Sequence, residues 1–144
     1  MAGWSQVLVG VDGSEGSRRA LAWAAAEARE HGAKLRVLAA WNPTPPPVGI
    51  GYAGYPTAEV PNLQKTSEQS LADTVTDVLG PDHGLDITQE VLEGHPAQLL
   101  IDASEDADLV VVGCRGHGGF AGMLLGSVSQ HLAAHAHGPV AVIR

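Results

Sequence analysis

The chain has 144 residues, 44% of them hydrophobic and 17% charged, as in an ordinary globular protein long enough to bury a core, so residues 1–144 are expected to form one domain. The formal net charge of −8 argues against binding to a nucleic-acid backbone, which needs a basic face, and no apolar run is long enough to predict a membrane span. The lone Cys114 excludes an internal disulfide, and the first ten residues lack the pattern of a signal peptide, so the expected location is cytoplasmic.

Strand and helix patterns alternate along the chain. The valine-rich run at 5–11 predicts a strand, and the alanine-rich segment at 14–32 predicts a helix with Ser14 as its N-cap and Gly32 just past its end. A second strand is predicted at 34–41. The remaining predicted elements are a helix at 62–79, a strand at 85–94, a helix at 96–107, a strand at 108–113, a helix at 127–137 and a strand at 139–144.

Regular alternation of this kind predicts an α/β fold with a mostly parallel sheet and helices on both faces. Ligands of such sheets bind outside the carboxyl ends of the strands, at the point where the strand order reverses. Two segments compete for that position. One is the turn at 10–17 after the first strand, with Asp12 at its tip, and the other is the glycine-rich stretch at 113–126 after the fourth strand.

The glycine-rich stretch invites a chemical explanation, because glycine disfavours the interior of both strands and helices. Six glycines lie between residues 110 and 132: Gly113, Gly116, Gly118, Gly119, Gly122 and Gly126. In a glycine-rich loop an anion can approach the backbone N–H groups closely, because no Cβ atoms are in the way. The N-terminus of the helix that follows also favours negative charge, so the pattern suits binding of a phosphate chain. Two interpretations stand at this point: a phosphate-binding loop, or a flexible loop with Ser127 as an ordinary N-cap.

Other nucleotide and hydrolase motifs are absent from the sequence. There is no G-x-x-x-x-G-K-[ST] of a P-loop, no G-x-G-x-x-G after the first strand and no G-x-S-x-G elbow. These absences argue against a P-loop NTPase, a dinucleotide-binding domain and an α/β-hydrolase.

The spacing of Gly113, Gly116 and the Gly126-Ser127 pair resembles the nucleotide-binding signature of the universal stress protein family. The segments "VLVGVDGSEGSRRALAWA" and "GPVAVIR" are also similar to that family, so that the resemblance covers essentially the whole chain. It implies a five-stranded parallel sheet of order 3-2-1-4-5 with helices on both faces, a Rossmann-like arrangement of the adenine nucleotide alpha hydrolase type.

The resemblance also implies roles for individual residues around ATP. Near the adenosine it implies Gly10 and Val11 flanking the nucleoside, Asp12 at the ribose, the adenine or a metal, and backbone hydrogen bonds from Ala40. Near the phosphates it implies Gly113 and Gly116 beneath the chain, with Gly126, Ser127, Val128 and Ser129 as donors. Arg115 and His117 lie in the same loop. Arg115 either assists the phosphates or points to solvent, and His117 is a further candidate for phosphate contact.

The family resemblance implies an ATP-binding regulator of the stress response, with Mg²⁺ offsetting the phosphate charge. The alternative is a slow ATPase or a nucleotidyl-transferring enzyme of the same fold. Little steady-state hydrolysis is expected, because no P-loop lysine or positioned base is evident. A homodimer is predicted through the last strand, 139–144, since an exposed sheet edge invites pairing. The sequence names no protein partner.

Three features stand outside this interpretation. Cys114 occupies a position where the family more often has serine, so it is either a small packing residue or a reactive thiol. His131 and His135 are spaced i, i+4 on a predicted helix, which suits either packing or a metal site. The Pro- and Gly-rich segment 42–61, with Tyr52 and Tyr55, is either a lid or docking loop or a connection without a role.

Overall fold

The computed structural model describes residues 3–41, 60–114 and 127–144. Within these ranges each strand and helix predicted from the sequence is present. The elements are β1 (Gln6–Gly10), α1 (Glu15–His31), β2 (Lys34–Trp41), α2 (Val60–Leu79), β3 (Ile87–Glu93), α3 (Pro96–Ala103), β4 (Leu109–Gly113), α4 (Ser127–His135) and β5 (Val140–Ile143).

The five strands form one sheet in the order β3-β2-β1-β4-β5, and every neighbouring pair is parallel. This confirms the predicted fold class and strand order. The order reverses between β1 and β4, because the chain moves outward from β1 to β3 and then returns to the other side of β1. The carboxyl ends of β1 and β4 therefore flank the switch point, which is where parallel sheets of this type bind ligands.

The apolar residues of the sheet divide between two cores, one on each face. Val7 and Val9 of β1 belong to the core beneath α1 and α2, whereas Leu8 belongs to the core beneath α3 and α4. Successive residues of a strand point to opposite faces. A strand covered on both faces must be apolar throughout, which accounts for the unbroken hydrophobic run of β1 and the similar run of β4.

Helix α1 has well-formed caps at both ends, as the sequence predicted. The Ser14 side chain accepts a hydrogen bond from the N–H of Ser17 at 3.2 Å, which satisfies one of the N–H groups left unpaired at a helix start. At the other end, Gly32 has a φ of 65°, and the N–H of Ala33 donates to the Ala28 carbonyl at 2.8 Å. Glycine occupies this left-handed conformation without a Cβ clash, so it ends the helix cleanly.

The third helix is shorter than predicted. It ends at Ala103 rather than continuing to residue 107, and a 3-10 turn covers Ser104–Asp106. The buried Ser104 hydroxyl donates to the Ile101 carbonyl at 2.6 Å and accepts from the N–H of His137 at 3.0 Å. A serine that bonds both to its own helix and to a distant backbone group competes with helical continuation. Other predicted ends differ by two residues at most.

Asp108 joins β4 to β1 at the amino end of the sheet. Its Oδ2 accepts hydrogen bonds from the Ser5 N–H at 2.8 Å, the Ser5 hydroxyl at 2.9 Å and the Gln6 N–H at 3.0 Å. The backbone N–H groups of Ser5 and Gln6, followed by the Ser5 hydroxyl, lower the pKa of the Asp108 carboxyl because all three stabilise its charged form. The carboxylate thus helps to align the two central strands.

Replacing Asp108 with Asn should therefore have a pH-dependent effect on stability. A lowered pKa in the folded state stabilises the protein above the unfolded value of about 3.9, and this contribution is lost as the pH falls through the folded value. We expect Asp108→Asn to lower the free energy of unfolding by about 1 kcal/mol at pH 7, since the group is only partly buried. The deficit should shrink towards pH 3. Urea unfolding at both pH values measures it, with Asp102→Asn on the exposed side of α3 as the control; a deficit that is equal at both pH values would contradict the assignment.

Candidate functional site

The pairing between β1 and β4 ends at the switch point. The two strands are paired over three residues, the last pair being Val9 opposite Val111. Beyond that pair, β1 stays with β2, and the N–H of Val11 donates to a β2 carbonyl at 2.9 Å. In contrast, β4 stays with β5, and the N–H of Cys114 donates to a β5 carbonyl at 2.9 Å. Beyond their last common pair, the two central strands are thus each bonded to their outer neighbour.

Asp12 is exposed in the turn after β1, and hydrogen bonds within this turn hold it in place. Asp12 Oδ1 accepts from the N–H of Ser14 at 2.9 Å and from its hydroxyl at 2.5 Å, which is an Asx turn leading into α1. The N–H of Asp12 donates to the Ser17 hydroxyl at 3.2 Å. Gly13 between them has a φ of 83°. Asp12 is therefore exposed beyond the carboxyl end of β1, with a carboxylate whose orientation is fixed by Ser14.

Gly113, at the end of β4, is in close contact with the start of α1. A Cβ atom on Gly113 would lie 2.8 Å from the carbonyl carbon and 2.9 Å from the carbonyl oxygen of Gly16, and 3.2 Å from the nitrogen of Ser17. These are backbone atoms, which have no alternative rotamer to adopt. Glycine at this position is required for the first turn of α1 to lie against the end of β4.

The absence of a side chain at Gly10 is also explained by packing, on the other face of the sheet. A Cβ atom there would lie 2.7 Å from Cδ1 of Leu100, on α3, and 3.5 Å from Cγ1 of Val112. The Leu100 side chain fills the space beside Gly10. Val11 is buried in the core beneath α1, so that only its backbone is placed to face a ligand.

The end of β2 contributes Ala40, which is half-buried and paired with Leu92 of β3. The next residue, Trp41, donates its indole N–H to the side chain of Gln64 on α2. Gln64 in turn donates to the Val91 carbonyl at 2.9 Å. This network attaches the first part of α2 to the carboxyl ends of β2 and β3. No sequence pattern predicts this network, because a glutamine on a helix usually faces solvent.

The first turn of α4 places three predicted site residues in three different environments. Ser127 is the first helical residue and is exposed, so its backbone N–H belongs to the group that has no partner within the helix. Val128 is half-buried and packs against the core beneath α3 and α4. Ser129 is buried, 2% exposed, and its hydroxyl donates to the Cys114 carbonyl at 3.1 Å. Of the two serine side chains, only that of Ser127 is exposed.

The Ser129 bond has a further consequence, because Cys114 and Ser127 are the residues on either side of segment 115–126. The bond ties α4 directly to the end of β4 and so fixes the two ends of that segment relative to one another. Arg115, Gly116, His117 and Gly126, which were predicted as site residues, lie outside the described residues. The same holds for most of the segment predicted as a lid or docking loop, at 42–59.

The described residues form no group of three or more His, Cys, Asp or Glu side chains that could hold a metal. His131 and His135 are both exposed on α4, and their ring centroids are 6.3 Å apart. Cys114 is half-buried. No helix in the described part of the chain is long and apolar enough to cross a membrane.

Comparisons with known proteins agree on one family. The model of the Universal stress protein family matches residues 3–144. A universal stress protein of Mycobacterium tuberculosis is 41% identical over 138 residues, which cover 96% of this chain and 44% of the relative. A universal stress protein of Thermus aquaticus is 36% identical over 146 residues, covering 96% of this chain and 97% of the relative. The chain thus spans about half the length of its mycobacterial relatives and nearly all of the Thermus one.

Solved structures confirm the fold. The crystal structure of a universal stress protein in complex with cAMP superposes with a TM-score of 0.68 at 26% identity, covering 99% of this chain and 98% of that one.

Replacing Gly113 with alanine should destabilise the protein. Its Cβ would require the end of β4 and the start of α1 to move apart, and overpacking of this kind costs about 1–3 kcal/mol. Gly138→Ala is the matched control, because the nearest atom to its Cβ would be 3.9 Å away. Chemical unfolding of the two variants measures the difference. Equal stabilities would show that the contact with Gly16 imposes no constraint.

Proposed function

This chain belongs to the universal stress protein family, and we propose that it binds an adenine nucleotide, ATP with Mg²⁺, at the carboxyl ends of β1 and β4. The observation that carries the proposal is that the pairing of these two strands ends after Val9 and Val111, beyond which each strand is bonded to its outer neighbour. This point lies at the carboxyl edge and at the reversal of strand order, where parallel sheets bind ligands beside the N-termini of the following helices. The related structure in complex with cAMP supports an adenine nucleotide as the ligand class.

The adenosine end of the ligand would lie near β1 and β2. Asp12 is exposed there, and its carboxylate is oriented by Ser14, so it suits a ribose hydroxyl, which donates hydrogen bonds. Gly10 and Val11 would contribute backbone surface, and Ala40 would contribute backbone groups to the adenine edge. A fixed carboxylate loses little conformational entropy when it accepts such a bond.

The phosphate end would lie against the end of β4 and the start of α4. Ser127 offers an exposed hydroxyl and an N–H at the positive end of the helix dipole. Gly113, Val128 and Ser129 would shape the wall rather than supply side-chain donors, because each is already engaged in packing or hydrogen bonding. Arg115, Gly116, His117 and Gly126 complete the proposed phosphate contacts.

The net charge of −8 does not oppose this arrangement strongly. Surface charges further away than about 8 Å are largely screened at physiological salt, so nearby donors decide the affinity. Hydrogen bonds to a charged group contribute about 1.5–3 kcal/mol each. A few of them, after the ordering cost, are compatible with a roughly micromolar Kd, and Mg²⁺ would neutralise part of the phosphate charge.

We assign the nucleotide a regulatory role, in which occupancy of this site alters a surface or an assembly. Apart from Arg115 and His117, the groups proposed at the phosphates are backbone N–H groups and the Ser127 hydroxyl, which bind the ground state. Equal binding of ground and transition states does not raise kcat. A slow hydrolysis or nucleotidyl transfer is the alternative function of the same site.

A charge at Ser127 tests the position of the phosphates. Ser127→Glu should preserve the fold, because a carboxylate in the first turn of a helix is stabilising, yet it should repel a triphosphate. We expect at least tenfold weaker ATP binding by calorimetry with Mg²⁺, and a change of less than about threefold for adenosine. Ser127→Gln is the matched neutral control, since it has nearly the same shape as Glu and should bind ATP at least fivefold more tightly than Glu does.

Two outcomes would overturn parts of this proposal. An absence of ATP binding by the unaltered protein would remove the function. If the Glu and Gln variants bound ATP with equal affinity, nucleotide binding would stand, but the proposed position of the phosphates beside α4 would be wrong.

We further propose a homodimer through β5. Within the described sheet, β5 has β4 on one side and is the last strand on the other, and its residues Val140–Ile143 are all only half-buried. An unpaired edge with apolar side chains favours pairing with a second copy about a twofold axis. The opposite edge is less suited to this role, because Glu90 and Glu93 place charges along β3.

Light scattering at micromolar concentration should give the mass of two chains. Val142→Lys on β5 should shift the mass to that of one chain, because a lysine on an edge strand opposes pairing. Leu92→Lys on β3, where the leucine is 37% exposed, is the control and should leave the dimer intact. Circular dichroism verifies the folding of both variants. A monomeric unaltered protein, or dissociation by the β3 variant alone, would contradict the assignment.

A further inference from the structure

The exposed face of α4 carries a pair of imidazoles that the nucleotide site does not use. His131 and His135 are one helical turn apart, both are exposed, and their ring centroids lie 6.3 Å apart with an angle of 36° between the planes. Residues four apart on a helix lie on the same side of it. A metal bound to one nitrogen of each ring at about 2.0–2.1 Å would bridge the pair after small side-chain rotations.

His131 is also oriented for coordination by its backbone contact. Its Nδ1 lies 3.0 Å from the Ser127 carbonyl oxygen. A carbonyl only accepts hydrogen bonds, so in the neutral ring this contact places the proton on Nδ1 and leaves the lone pair on Nε2. Histidines that bind metals commonly donate their other ring N–H to a carbonyl or carboxylate in this way, which fixes both the tautomer and the ring orientation.

We propose that His131 and His135 form a two-histidine site for a divalent transition-metal ion of the Zn²⁺ or Cu²⁺ class. Neutral imidazole is a preferred ligand of these ions, whereas Mg²⁺ prefers oxygen. Since the described residues add no third histidine, cysteine or carboxylate to the pair, water fills the other positions. With half the ligands of a structural zinc site, a Kd of roughly 1–100 micromolar is expected.

The position of the pair gives metal binding a structural consequence. The bridge would span the second half of α4, between its fifth and ninth residues, and would hold that turn in the helical conformation. The same helix carries Ser129, whose hydroxyl anchors the Cys114 carbonyl at the end of β4. A metal on α4 therefore stabilises the helix that is bonded to the end of β4. The site does not depend on the nucleotide proposal, because neither histidine has been assigned a role in it.

Calorimetric titration of the untagged full chain with Zn²⁺, without nucleotide, tests the site directly. One ion per chain should bind, and His131→Gln and His135→Gln should each weaken binding at least tenfold. The affinity of the double variant should lie within about twofold of that of either single variant. Removing one histidine already destroys the chelate, so removing the second has little further effect. His95→Gln is the control: His95 is exposed before α3 and makes no side-chain cap bond.

Thermal unfolding gives a second readout that does not depend on calorimetric heats. Zn²⁺ should raise the Tm of the unaltered protein and of His95→Gln, but not of the two α4 variants, because a ligand that binds only the folded state stabilises it. Mg²⁺ at the same concentration should have no such effect through these residues. Unchanged Zn²⁺ affinity in either α4 variant, or losses that simply add in the double variant, would overturn the proposal.

Discussion

The close contact of Gly113 with the first turn of α1 is the constraint on which the rest of the site depends. Because Gly113 carries no side chain, the end of β4 can lie against the backbone of Gly16 and Ser17 at a distance that a Cβ on Gly113 would not tolerate. This contact determines where α1 begins, and α1 begins through the turn that presents Asp12. The position of α1 beside the end of β4, and with it the position of the Asp12 carboxylate, thus depends on the absence of a side chain at Gly113.

Short polar side chains then fix the chain on both sides of the switch point. On one side, Asp12, Ser14 and Ser17 bond to one another and to the backbone over six residues. On the other, Ser129 bonds to the Cys114 carbonyl across an intervening segment of twelve residues, 115–126. Such bonds satisfy backbone groups that leave the sheet and helix ladders at these points. A site held in place before a ligand arrives loses less conformational entropy on binding.

The sequence predicted the fold well because the relevant signals are local and repeated. The apolar runs of β1 and β4 indicated strands covered on both faces, and Ser14 and Gly32 marked the ends of α1 correctly. The end of α3 was predicted wrongly, and the contact of Gln64 was not predicted, because in both places a single side chain acts over a long distance in sequence. Ser104 ends α3 early by bonding to His137, 33 residues away, and the bond of Gln64 to Val91 spans 27 residues. Local patterns carry no information about such partners.

Residues of the candidate site also have structural roles that the sequence pattern did not indicate. Gly113 was predicted from the signature as a residue beneath the phosphates, and Ser129 as a phosphate donor. The structure supplies each with a packing or hydrogen-bonding reason that requires no ligand. A signature of this kind therefore combines residues that the fold needs with residues that the ligand needs, and its match alone does not separate the two. Residues without a structural explanation are the informative ones. Within the described part of the signature that residue is Ser127, which is exposed at the start of α4. A negative charge introduced at Ser127 therefore distinguishes a nucleotide site from a signature whose glycines serve only packing.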